Sequence, residues 1–163
     1  MEYPETAIKA LINSLNNDKG ACKWLMDNRF RELAALSDFL NDGNQSAVEF
    51  LKQNKSKYPT IVNFLAALQN EDKAFDLLMK DTDREWAATV SAVNGFEEAY
   101  QWLIKNDFLV YCGLADVLIK NSGSRYSGGL SGIGIGGGFS GGGGGFGGFG
   151  GGSFGGAGSG GNW

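Results

Sequence analysis

Residues 21–40, ACKWLMDNRFRELAALSDFL, recur 78 residues later as AYQWLIKNDFLVYCGLADVL at 99–118, with no gap and eight of twenty positions identical. An internal repeat restricts a fold more than any other feature, because each unit is one small packing solution that neighbouring copies must complete. The offset divides into three units of about 26 residues, and intermediate copies are present. AVEFLKQN (47–54) keeps Ala47, Leu51 and Asn54, with Phe50 in place of Trp24. AFDLLMKD (74–81) keeps Ala74 and Leu78, with Leu77 at the aromatic position and Asp81 at the Asn position. The shared pattern is Ala-x-x-(Trp/Phe/Leu)-Leu-x-x-(Asn/Asp).

The second half of each unit is a longer amphipathic stretch. Phe30, Leu33, Leu36 and Leu40 recur at steps of three and four. So do Tyr58, Ile61, Phe64/Leu65 and Leu68 after a two-residue insertion, and Phe108, Tyr111/Cys112, Leu114 and Leu118. This is the period of helices and not the alternation of strands. The third copy, Trp86 through Val90 and Val93, is the least regular. Residues 5–15 read as the longer half alone, with Ile8, Leu11, Ile12 and Leu15 on one face. Nine helices are expected: a half unit, then four pairs of a shorter and a longer helix.

Boundary chemistry agrees with this division. Ser46-x-x-Glu49 and Thr82-x-x-Glu85 have capping-box spacing. Pro4 and Pro59 fit first helical turns, where a missing N–H is harmless. NDKG (17–20), NDG (41–43) and NG (94–95) fall at expected helix stops. The expected fold is all-α, with helix-pair repeats stacked as a short right-handed solenoid or a compact bundle. The architecture is similar to that of ankyrin, HEAT and tetratricopeptide arrays. It lacks their signatures, having no TPLH run and a shorter period. Within such a stack the position of Trp24, Phe50, Leu77 and Trp102 reads as a core knob. The Asn/Asp at 28, 54, 81 and 106 reads as the closure of the turn between helices.

Composition changes sharply at the end of the repeats. Residues 1–122 hold 13 of the 14 Lys+Arg and all 18 Asp+Glu, whereas residues 123–163 hold 23 of the 27 glycines and one charge, Arg125. The expected organisation is a helical domain at 1–122 and a disordered Gly/Phe-rich tail at 123–163, because glycine is costly to order and buries nothing. The tail spaces Phe139, Phe146, Phe149 and Phe154 along glycine and ends in Trp163. Its wording resembles the glycine-rich tails of bacterial TPM-domain proteins, which commonly close on Trp, and the Gly-Phe tails of keratins. The resemblance covers the tail alone, since neither a TPM domain nor a coiled-coil rod precedes it. The five aromatic residues named are the candidate interaction residues. They act either as weak self-association points on a spacer or as parts of a plain tether. RNA binding through them would need more positive charge than one Arg supplies.

There is no histidine among the 163 residues, which removes the usual general base and the commonest metal ligand. Asp81, Asp83 and Glu85 form the densest acidic cluster but lack the spacing of a calcium loop. No phosphate-binding GxxxxGK[ST] motif occurs in the glycine-rich stretch. Neither a catalytic site nor a cofactor or metal is expected. Cys22 and Cys112 read as buried small residues, the alternatives being a disulfide or a reactive thiol.

The net charge of −4 disfavours nucleic acid and anionic membrane as partners. The start lacks the pattern of a signal peptide, and the most apolar run, FLVYCGLADVLI, is too short to cross a bilayer. The expectation is a cytoplasmic, non-enzymatic protein-binding or scaffold module. The alternative is a structural protein that assembles through its tail.

Overall fold

The computed structural model describes residues 3–80 and 83–125; among them are nine α-helices and no strand. They are α1 (Glu5–Leu15), α2 (Lys19–Asp27), α3 (Arg31–Asp42), α4 (Gln45–Gln53), α5 (Pro59–Leu68), α6 (Asp72–Lys80), α7 (Arg84–Val93), α8 (Glu97–Lys105) and α9 (Leu109–Arg125). The even-numbered helices are the short halves of the units, nine residues each. Helix α9 runs to Arg125, three residues beyond the expected domain end at 122. The tail positions Phe139, Phe146, Phe149, Phe154 and Trp163 lie outside the described residues.

Every odd-numbered helix supplies the same i, i+3, i+7 triad to one core. Starting from Ile8, Leu33, Ile61, Trp86 and Tyr111, all fifteen side chains are at most 7% exposed. Such a stripe lies on one face of a helix, so five stripes turned toward one axis form three stacked layers. The long helices pack in a closed succession: α1 on α3, α3 on α5, α5 on α7, α7 on α9, and α9 back on α1. Two contacts hold that closure. The Asn121 amide nitrogen donates to the Leu15 carbonyl at 2.8 Å. A Cβ at Gly113 would stand 3.4 Å from Ile12 Cδ1, so the missing side chain admits close approach. The contact of first with last helix belongs to a compact bundle and not to an open stack.

The short helices pack on the long ones as bridges between consecutive members, α2 between α1 and α3 and so on to α8 between α7 and α9. Each buries an Ala–Leu pair four residues apart: Ala21/Leu25, Ala47/Leu51, Ala74/Leu78 and Ala99/Leu103.

Turn chemistry accounts for the reversals. Five helices (α1, α2, α5, α7 and α8) end in paired bonds of Schellman type, such as Phe30 N–H to the Leu25 carbonyl at 2.8 Å and Arg29 N–H to that of Met26 at 3.2 Å. The left-handed residue is Asn17, Arg29, Asn70, Gly95 or Asp107. One expected cap is corrected. Helix α4 is capped by Asn44, whose Oδ1 accepts the Ser46 N–H at 3.1 Å, so Ser46 already sits inside the helix. Helix α7 starts after Asp83, and Thr82 lies outside the described residues. Gly20 belongs to the first turn of α2, not to a helix stop, because Asp18 caps that helix through the Gly20 and Ala21 N–H groups.

Candidate interaction surface

The repeated aromatic does not fill the core. Trp24 is 39% and Leu77 is 42% exposed, while Phe50 and Trp102 are half-buried. The physical reason lies in helical spacing. Ala at i and Leu at i+4 form the buried stripe, and the residue at i+3 falls beside it. The inward knobs are the following leucines, Leu25, Leu51, Leu78 and Leu103, each at most 1% exposed. Trp24 instead stacks on Phe30 (centroids 6.0 Å, planes 15° apart) and Trp102 on Phe108 (5.6 Å, 18°). Phe50 meets Tyr58 at 6.3 Å, two residues later in sequence because of the insertion. Leu77 has no aromatic counterpart, since Asp83 stands where the others place Phe or Tyr.

The repeated Asn closes the helix end as expected, by a specific bond. Asn28, Asn54 and Asn106 each donate the side-chain amide to the carbonyl four residues back, that of Trp24, Phe50 and Trp102, at 2.8 Å. Aromatic and Asn thus form one device that ends the short helix and pins its last turn to the next long helix. Asp81, the fourth member, lies outside the described residues.

Where the long helices begin, buried aromatic and polar groups converge. Tyr3 stands edge-on to Trp86 (5.7 Å) and also meets Phe30 (6.3 Å); Phe64 and Tyr111 flank the same indole. The Tyr3 phenol and the Glu32 carboxyl lie within electrostatic reach of each other. Burial, followed by the Glu32 charge, pushes the Tyr3 phenol far above its ordinary range. Glu32 is 2% exposed, and desolvation raises its carboxyl pKa. One of its oxygens and the Trp86 indole N–H have no hydrogen-bond partner among the described residues. Thr60 donates to Asp83 at 2.7 Å. No group of three potential metal ligands occurs among the described residues. Of the acidic cluster read from sequence, Asp83 accepts from Thr60 and Glu85 is buried at the start of α7, while Asp81 lies outside the described residues.

At two junctions a short helix is latched to the long helix that follows it. The Cys22 thiol lies 3.7 Å from Asp38, and the Tyr100 hydroxyl lies 3.2 Å from both oxygens of Asp116. Burial and then the neighbouring carboxylate raise the pKa of Cys22 and of Tyr100. Burial and then Asp116 do the same at Cys112. Raised thiols stay protonated, which suits the reading of the two unbridged cysteines as small packing residues.

Two grooves involve the first and second units. The first, about 630 Å³, lies among α1, α2 and α3, with Asp38, Asp42, Lys19 and Lys23 in its lining. The second, about 400 Å³ and set among α4, α5 and α6, sets Val62, Ala66 and Leu77 beside Asn63 and Gln69. Sequence reasoning missed the second groove. Its signal was available in the insertion and in Ala66, which stands where the other long helices carry Asn13, Asp38, Ser91 and Asp116. No described helix is long and apolar enough to cross a membrane. No family model, no curated protein and no solved structure matches this chain.

Proposed function

We propose that this chain is a non-enzymatic interaction module, a ring of helix-pair units that presents its short helices to a protein partner. The observation that carries the reading is the large apolar side chains kept on the outside of those helices. Trp24 (39% exposed), Met26 (50%), Leu77 (42%) and Ile104 (43%) all belong to α2, α6 or α8. A surface that holds such side chains at repeated positions has the composition of a contact face. The Gly/Phe-rich segment adds further aromatic groups for the same partner. The reading includes a cytoplasmic setting, supported by the free thiols of Cys22 and Cys112.

The test is partner retention by the full chain against a variant in which Trp24, Met26 and Ile104 are replaced by serine. Retention by the full chain and its loss in the variant supports the reading; equal retention by both, or by neither, defeats it. A second reading, assembly through the tail, is favoured by the five aromatic residues spaced along an uncharged segment from 139 to 163. It predicts concentration-dependent sedimentation of the full chain that disappears when all five are changed to serine.

A further inference from the structure

In a repeated fold the positions shared by all units serve the packing, so the unit that departs from the pattern is the place to look for a site. The second unit departs in three linked ways, and the unit after it adds a fourth. Lys55 and Ser56 lengthen the turn between α4 and α5. The latch pair of the first and last units, Cys22–Asp38 and Tyr100–Asp116, becomes Val48 and Ala66, which cannot hydrogen-bond. Helix α4 meets α5 over a smaller contact than any other short helix makes with the long helix after it. Leu77, lacking an aromatic partner, remains 42% exposed at the edge of the opening. The result is a groove of about 400 Å³ in which Val48, Val62, Ala66 and Leu77 form an apolar strip beside Asn63 and Gln69.

Its rim is predominantly basic. Lys52, Lys55 and Lys73 line it against a single carboxylate, Glu71, and all three lysines are exposed. This occurs on a chain whose net charge is −4, so the rim opposes the sign of the whole molecule. Apolar strip and basic rim together are complementary to an amphipathic helix with a leucine-type stripe and acidic flanks. The apolar stripe supplies affinity, and the carboxylates supply register and steering.

We infer that the α4–α5–α6 groove is the docking site for an acidic amphipathic helix of a partner protein. This deepens the interaction-module reading and rests on it. The probe is a synthetic helix of about five turns, with leucines at i, i+3, i+4 and i+7 and glutamates beside them. A matched peptide carries lysines in place of the glutamates. Each is titrated into the isotope-labelled full chain, and amide shifts are followed. The glutamate peptide is expected to move the signals of Val62, Ala66 and Leu77, and the lysine peptide to leave them in place.

Joint substitution K52E/K55E/K73E is expected to weaken binding roughly tenfold or more with an unchanged helical spectrum. Ala66→Asp, which restores the polar residue of the other units, blocks the groove independently. Equal binding of both peptides, shifts confined to the Trp24 and Ile104 faces, or no shifts at all would each overturn the inference. So would finding the groove already filled by this chain's own glycine-rich segment or by a second copy. In the partner-retention assay, a partner held equally by wild type and the triple-lysine variant removes the groove and leaves the wider reading standing. Loss of every partner in wild type removes both.

Discussion

The Tyr100 hydroxyl stands 3.2 Å from each carboxylate oxygen of Asp116, and 78 residues upstream Cys22 makes the equivalent approach to Asp38 at 3.7 Å. One spatial relationship is thus kept while the chemistry of its donor changes. The contact lies at the protein edge, so Tyr100→Phe is expected to cost under about 1 kcal/mol at neutral pH. Because the folded-state pKa of Tyr100 is raised, its contribution is present below the unfolded phenol value of about 10 and is lost as pH rises through the folded value. Thermal melts from neutral to alkaline pH are expected to show the advantage of wild type over Tyr100→Phe narrowing. A constant difference would contradict the assignment.

Leu25 and Trp24 are neighbours in sequence with opposite consequences. Leu25→Ala is expected to cost about 2–5 kcal/mol, as for a buried leucine. Trp24→Ala removes a stacked ring that is 39% exposed and should cost roughly 1 kcal/mol, the scale of one aromatic pair. Chemical denaturation of both variants decides which residue is the knob. Reversed magnitudes would restore the core reading of the tryptophan.

This pair also shows what was legible in the sequence. The period, the helix number and the pairing of short with long helices all follow from apolar spacing. The facing of one residue did not, because Trp is the larger and more apolar side chain and only the Ala–Leu stripe fixes the rotation of the helix. Helix α7 hid its register for a related reason. Its triad is Trp86, Thr89 and Val93, and Thr89 lies in the core at 0% exposure with its hydroxyl bonded to the Glu85 carbonyl at 2.8 Å. A polar residue satisfied by its own helix breaks the pattern that a sequence reader counts. The groove was harder still, since its sign is the loss of a polar residue at Ala66, visible only once the register of all five long helices is known.

Glu32 supplies a test with the opposite pH range. Its folded pKa is raised by burial, so the stability it contributes is complete below the unfolded carboxyl value of about 4.3 and is lost as pH rises through the folded value. Glu32→Gln keeps the shape but cannot ionise. Melts between acidic and neutral pH are expected to show wild type losing ground to Glu32→Gln as pH increases. Parallel curves would mean that the carboxylate is solvated.

The asparagine device is testable by addition. Asn28→Ala, Asn54→Ala and Asn106→Ala each delete a 2.8 Å bond to a helix-end carbonyl. Each is expected to cost about 0.5–1 kcal/mol, and the triple variant roughly the sum, since the sites share no partner. Urea denaturation gives the comparison. A triple variant as stable as wild type would show the bonds to be incidental.

Gly113 tests the seam between first and last helix. Gly113→Ala places a Cβ at ordinary contact distance from Ile12, 3.4 Å, and is expected to be neutral or to stabilise by up to about 1 kcal/mol through helix propensity. Gly113→Leu overfills the same gap and is expected to destabilise by about 1–3 kcal/mol. If Leu were tolerated as well as Ala, the two helices would not be in close apposition.

The bond from Asn121 to the Leu15 carbonyl joins positions 106 residues apart. An open array lengthens or shortens by gain or loss of a unit, with its ends free to fray. A succession that meets itself has fixed its copy number. An added unit of about 26 residues would force the first and last helices apart and cost the seam. The seam between α1 and α9 therefore sets the number of units this domain can hold.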